Sequence, residues 1–216
     1  FSIEAACSGF VYAMNLANKF ILSGDSKCAL VIGAETLSRI TDWEDRNTCV
    51  LFADGAGAAI LKPSEDPGII YSKLGANGAY SDLLYVPYGT SKRPLKEQRN
   101  DNFLQMKGNE VFKVAVKTLE SIAKESLREV NMTSEDIDWF IPHQANIRII
   151  QAVSKRLNIP EKKVIISLTD HGNTSAASIP LALDQSIREG KIKTGDTALL
   201  QSFGAGFTWG TVIIKI

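Results

Sequence analysis

Cys7, in the stretch Ala5-Ala6-Cys7-Ser8-Gly9-Phe10, is the residue whose setting most invites nucleophilic chemistry. Ahead of it Phe1, Ile3 and Ala5 alternate with Ser2, Glu4 and Ala6, as along a short strand. From Phe10 the apolar residues recur at three- and four-residue steps (Phe10, Ala13, Met14, Ala17, Ile21), which predicts a helix. Cys7 would thus occupy a strand-to-helix turn among residues small enough to let another molecule approach. Unpaired N–H groups and the positive dipole end of a helix entrance favour a thiolate there. Taken alone, a cysteine is more often a small buried hydrophobe, so a nucleophile needs partners downstream. Two stretches offer them: Pro142-His143-Gln144-Ala145-Asn146, and His171-Gly172-Asn173-Thr174-Ser175-Ala176-Ala177-Ser178. By themselves His143 and His171 would read as satisfied, partly buried histidines, and Asn173 as a turn or cap residue.

Several function classes are disfavoured by composition. The chain has 216 residues, 44% hydrophobic and 22% charged, in the range of a globular protein of one or two domains. Lys+Arg and Asp+Glu are 24 each, so no global field points to nucleic acid or a membrane surface. No apolar run has transmembrane length, and no charged-then-apolar leader opens the chain. The cysteines, Cys7, Cys28 and Cys49, lack C-x-x-C spacing, which predicts neither a disulfide framework nor a metal site and fits a reducing cytoplasm.

The elements that must position these residues follow in order. A helix is predicted over about Ser8–Leu22, stopped by Gly24 in a left-handed cap. Cys28 to Ala34 is a continuous apolar run, expected to be a strand covered on both faces with Cys28 in the core. Asp54-Gly55-Ala56-Gly57 opens a strand at Ala58–Leu61, where tight packing explains the glycines better than phosphate binding. Beyond a linker at Pro63–Pro67 come a strand at Ile69–Leu74 and a long polar loop at Gly78–Asn102. An amphipathic helix follows over about Asn109–Glu129, its stripe being Phe112, Ala115, Val116, Leu119, Ile122, Ala123 and Leu127. A strand at Asp138–Ile141 leads to His143. The next helix should turn Ile147, Ile150, Val153 and Leu157 inward, before a strand at Val164–Leu168. A helix ending near Gly190 and strands from Thr197 and to Ile214 close the chain.

Residues 7–62 and 173–216 follow one plan: turn, helix, Gly-Asp, apolar strand, Gly-Ala-Gly, apolar strand. Such a duplication sets Cys7 and Asn173 at equivalent helix entrances, facing each other across a pseudo-twofold axis. The second copy is preceded by three further strands and two helices, the first by at most one strand. If the copies are equally long, the first lacks about 100 residues.

With Cys7, PHQAN (142–146), HGNTSAAS (171–178) and FGAGFTWG (203–210) in this order, the chain resembles the β-ketoacyl-acyl-carrier-protein synthase III family. DGAGAA (54–59) and MKGNEVFKVAV (106–116) extend the likeness over its whole length. The resemblance implies an α/β fold, the thiolase-like αβαβα sandwich. Residues 1–65 would be the end of its N-terminal half and 66–216 the complete C-terminal half. It implies an acyltransferase that condenses an acyl-CoA primer with malonyl-acyl-carrier protein, initiating fatty acid synthesis, with no cofactor. Cys7, His143 and Asn173 map onto the family's catalytic residues, and the backbone N–H groups of Cys7 and Ala205 onto its oxyanion hole. Arg46, Asn109, Phe112 and Asn146 would bind coenzyme A. Lys113, Arg148, Lys155 and Arg156 would form a docking patch for acyl carrier protein, against the plainer reading of a solvated charged face. A homodimer is implied, as is an N-terminal segment absent here. Ala205 stands where the family commonly has Gly, and Asn47 where it has Gly or Ser. The alternatives are a relative serving secondary metabolism and an inactive truncated fragment.

Overall fold

The computed structural model describes residues 1–66, 68–87 and 103–216. The helices are α1 (Gly9–Leu22), α2 (Gly108–Glu129), α3 (Ile147–Arg156), the short α4 (Leu168–His171) and α5 (Ser178–Arg188). The strands are β1 (Ala29–Glu35), β2 (Gly55–Leu61), β3 (Ile69–Ala76), β4 (Leu84–Tyr85), β5 (Gln105–Met106), β6 (Trp139–Pro142), β7 (Thr197–Gly204) and β8 (Thr208–Lys215). Antiparallel β1 and β2 form one sheet, β4 and β5 a second, and β3-β8-β7-β6 a mixed third in which only β6–β7 is parallel.

All eight residues of β7 are buried because the large sheet is covered on both faces. Period-two alternation sends Leu199 into a core with α2 and α3 (Val116, Leu119, Phe140, Ile150, Val153). Its neighbour Leu200 enters the opposite core with α1 and α5 (Phe10, Met14, Val212, Ile179). The predicted stripe of α2 is buried throughout except at Phe112, which is partly exposed. Gly24 takes the left-handed conformation (φ +83°) past the end of α1.

Several expectations are corrected. Residues 1–5 form no strand; with no neighbouring strand to pair with, their alternation has no ladder to support it, and Phe1 is almost wholly exposed. β1 is buried on one face only, since the two-stranded sheet packs on α1 and α5 from one side. Leu30 and Ile32 face outward, and Cys28 is exposed rather than in the core. Ile147 is exposed while Ile150, Val153 and Leu157 are buried. Val164 makes a single bridge to Phe140, and Leu168 begins α4, so Val164–Leu168 is no regular strand. The polar loop falls largely on 88–102, outside the described residues; its described ends hold a 3-10 turn (Gly78–Tyr80) and β4.

The Gly-Ala-Gly of β2 packs against α5, as expected: a Cβ on Gly57 would lie 2.9 Å from Pro180. A tighter crossing lies elsewhere, where β1 passes the 3-10 turn Ser175–Ala177. A Cβ on Gly33 would sit 2.4 Å from the Ala176 carbonyl oxygen, and that oxygen is backbone, so it cannot swing away. Gly33→Ala is therefore expected to destabilise the fold by about 1–3 kcal/mol, read as a lower denaturant midpoint with an unchanged slope.

Candidate active site

Cys7 is the middle residue of a 3-10 turn, Ala6–Ser8, that runs directly into α1. Ala6 has φ +46°, a left-handed conformation uncommon outside glycine. The turn is held by partners from the far end of the chain. Ser8 Oγ donates to the Thr208 carbonyl (3.1 Å), and Thr208 Oγ1 donates to the Ala5 carbonyl (2.8 Å). The β7–β8 connection comes so close that a Cβ on Gly204 would lie 2.8 Å from the Cys7 nitrogen. Ala205, next in line, is not among the residues with positive φ, so its backbone accepts the β-carbon. The thiol itself is pushed up to about 11, first by burial and further by the Glu35 carboxylate; the Ser175 hydroxyl opposes this. Cys7 is thus a thiol at neutral pH, not the thiolate that the helix entrance alone favours. Loss of water around the anion outweighs the dipole of α1.

His143 is delivered by the end of β6. Pro142 pairs with Gln201 of β7, and the next amide, His143 N–H, donates to the Gln201 carbonyl (2.7 Å). The imidazole is 6% exposed and has no carboxylate partner among the described residues, so burial lowers its pKa to about 4 and it is neutral. Its Nδ1 lies 2.6 Å from Ser178 Oγ, which leaves Nε2 to serve the channel. Asn173 is fixed as tightly. Its N–H donates to the Leu51 carbonyl, its carbonyl accepts from Ala53 N–H, and its Oδ1 accepts from Ser175 N–H, each at 2.9 Å. A backbone N–H can only donate, so this contact identifies Oδ1 and leaves the Nδ2 hydrogens as the free donors. Ser175, in turn, adopts φ +51° and donates through Oγ to Glu35 Oε1 (3.1 Å).

Cys7, His143 and Asn173 line one channel of about 390 Å³. Along it stand Asn109, Phe112 and Asn146, as predicted, and also Arg148. Asn146 doubles as the cap of α3, its Oδ1 accepting from Arg148 N–H (2.8 Å). Phe112 is the one stripe residue left partly exposed because it faces this space. Arg46 is exposed on a turn and is not part of the lining. The cations are less unified than predicted. Arg156 pairs with Glu120 (2.7 Å), which Lys124 also contacts (2.7 Å). Lys113 lines a separate groove with Lys73 and Trp209. Lys155 is exposed. Residues not singled out from sequence include the apolar lining Phe52, Leu84 and Met106, and the supporting Glu35 and Ser178. For Phe52 the only signal was its place before DGAGAA. Among the described residues no cluster is suited to a metal ion, and no helix is long and apolar enough to cross a membrane.

The family described as 3-oxoacyl-(acyl-carrier-protein) synthase III matches residues 1–78, and that described as its C-terminal part matches 127–216. The β-ketoacyl-(acyl-carrier-protein) synthase III of Thioalkalivibrio sulfidiphilus is 52% identical over all of this chain and 67% of its own length. The chain belongs to the β-ketoacyl-acyl-carrier-protein synthase III family. The crystal structure of the family member from Aquifex aeolicus superposes with a TM-score of 0.92 at 47% identity, again over 100% of this chain and 67% of that one. A priming β-ketosynthase from the R1128 polyketide biosynthetic pathway superposes at 0.94 with 36% identity, over 100% and 65%. The chain therefore has the thiolase-like fold of synthase III and spans about two thirds of the length of these relatives.

The raised thiol has a direct consequence for reactivity. The iodoacetamide alkylation rate of Cys7, followed by peptide mass, is expected to keep climbing with pH to about 11. A plateau near pH 9, the ordinary thiol value, would contradict it.

Proposed function

We propose that this chain carries the reacting centre of a decarboxylating acyltransferase, with Cys7 as acyl acceptor. What supports the reading is that a thiol and two neutral N–H donors, from three distant stretches, share one channel with no carboxylate among the described residues that line it. In the first half-reaction the Cys7 sulfur attacks the carbonyl of an acyl-CoA. A Cys7 thioester forms, the bond to coenzyme A breaks, and the thiol proton leaves with the coenzyme A thiolate. In the second, malonyl-acyl-carrier protein loses CO2. The electron pair of the broken C–C bond becomes an enolate, whose oxygen is held by His143 Nε2–H and Asn173 Nδ2–H. The enolate carbon attacks the Cys7 thioester and the sulfur leaves as thiolate, taking a proton from water. The product is a β-ketoacyl-acyl-carrier protein. Backbone N–H groups of Cys7 and Ala205 would hold the oxyanion of both attacks.

Neutral donors suit this chemistry. A base beside the malonyl carboxylate would have nothing to abstract, whereas a fixed N–H stabilises charge as it develops on oxygen. Channel geometry also fits the substrate arm: Asn109, Phe112 and Asn146 offer amide and apolar contacts along a narrow path of the kind a pantetheine chain would follow. A second reading, priming of a polyketide, is favoured by the close superposition on the R1128 synthase. Rates with acetyl-, butyryl- and isobutyryl-CoA separate the two.

Intact mass after incubation with acetyl-CoA is expected to show one acetyl adduct that Cys7→Ala abolishes. His143→Ala and Asn173→Ala should keep the adduct yet lose malonyl decarboxylation by about 100- to 1000-fold. Loss of both half-reactions together would overturn the assigned roles.

Carrier-protein docking rests on Arg148 at the channel and on exposed Lys155, two turns further along α3, Arg156 being held by Glu120. Arg148→Glu is expected to slow reaction with malonyl-acyl-carrier protein by about tenfold or more and to leave acylation by acetyl-CoA unchanged. Equal losses in both would reject the patch.

A further inference from the structure

We infer that Ser178 is a positioning residue that sets the tautomer of His143, holding the ring proton on Nε2 where it faces the channel; this rests on the function proposed above. The argument is a count of hydrogens. Ser178 is the first residue of α5 and is 2% exposed. Its hydroxyl has one hydrogen to give and two lone pairs to fill. The Gln144 N–H, which can only donate, points at Ser178 Oγ from 3.2 Å and takes one lone pair. His143 Nδ1 stands on the same oxygen at 2.6 Å. If Nδ1 carried the proton, Ser178 Oγ would accept twice. Its own hydrogen would then need another acceptor, and among the described residues Ser178 Oγ makes no hydrogen bond other than these two. If Nδ1 is bare, every group is matched: Gln144 N–H donates to Ser178 Oγ, and Ser178 O–H donates to His143 Nδ1. The neutral ring then bears its hydrogen on Nε2.

The supporting frame is rigid. His143 N–H is tied to the Gln201 carbonyl at 2.7 Å. Gln144, buried to 0% exposure, donates from Nε2 to the Pro142 and Ile165 carbonyls at 2.7 and 3.2 Å and accepts from Ser167 N–H at 2.9 Å. The amide that reads Ser178 therefore cannot drift, and neither can the ring. Two chemical consequences follow. A thioester oxygen arriving in the channel meets a donor already in place. The same nitrogen has no lone pair with which to take the Cys7 proton, so His143 is not the base of the acylation step.

The chain has only two histidines, His143 and His171, so ¹⁵N-histidine labelling of the intact protein reads the tautomer directly, with His171→Gln assigning the signals. The expected spectrum shows His143 with a protonated Nε2 and a bare Nδ1. Ser178→Ala is expected to mix the two tautomers and to slow malonyl decarboxylation by about tenfold or more, with the Cys7 acetyl adduct forming at the unmodified rate. Ser178→Thr, which keeps the hydroxyl, should restore both the signal and the rate. A proton on Nδ1 in the unmodified protein overturns the inference, as does a Ser178→Ala variant with unchanged tautomer and decarboxylation. Should Ser178→Ala fail to fold, the spectrum of the unmodified protein still decides. Absence of any acetyl adduct on unmodified protein would instead refute the proposed function and leave the tautomer assignment standing.

Discussion

Backbone approaching backbone without an intervening side chain is the constraint on which this structure rests. It occurs twice around Cys7. Gly33 lets β1 lie against the Ala176 carbonyl, and Gly204 lets the end of β7 lie against the Cys7 nitrogen. The first crossing brings the Asn173–Ala177 turn to the β1–β2 sheet, and the second brings the β7–β8 connection to the Cys7 turn. Remove either and the thiol and its donors would be separated by a methyl group's width or more, which is large beside the tolerance of a hydrogen bond. Two non-glycine residues in left-handed conformations, Ala6 and Ser175, sit at these same contacts. Such conformations persist where surrounding structure over-determines them, as the crossings do here.

The electrostatics of the centre come from exclusion of water more than from any charge placed within it. Burial moves the Cys7 thiol up to about 11 and the His143 imidazole down to about 4, and both shifts favour the neutral form. Glu35, the carboxylate that acts on Cys7, accepts a hydrogen bond from Ser175 and is not among the described residues lining the channel. A centre kept uncharged at rest suits a reaction whose negative charge appears only in passing, since each fixed N–H then acts on that charge alone.

Much of this arrangement was legible from residue patterns. The stripe of α2 is evident in its spacing, and the position of Cys7 before α1 follows from the switch of period at Phe10. The duplicated plan set Cys7 and Asn173 at equivalent helix entrances, but Cys7 lies inside the 3-10 turn that runs into α1, whereas Asn173 lies two residues before the 3-10 turn that precedes α5. What could not be read was whatever depends on which face of an element is covered. The CALVIGA run looks the same whether one or both faces of the strand are packed, and so Cys28 was misplaced. Ile147 satisfies the helical period but lies at the exposed entrance of α3. The state of Cys7 was misjudged because a dipole can be inferred from the start of a helix, whereas the depth of a sulfur cannot. Ser178, the last residue of a recognised motif, carried no visible role until its distance to His143 was known.

The hydrogen bonds that hold the Cys7 turn join residues 200 and 203 positions apart. Their partner, Thr208, begins β8, an interior strand on which β3 also depends for its pairing. As the polypeptide emerges from the ribosome, α1 can form early, but the turn before it lacks its anchors until the closing strand has been translated and inserted. Residues through Thr208 must therefore be synthesised before the Cys7 turn is anchored, and contacts of such long sequence separation are slow to form. The pose of Cys7 is in this way a late product of folding, set only when β8 has paired between β3 and β7.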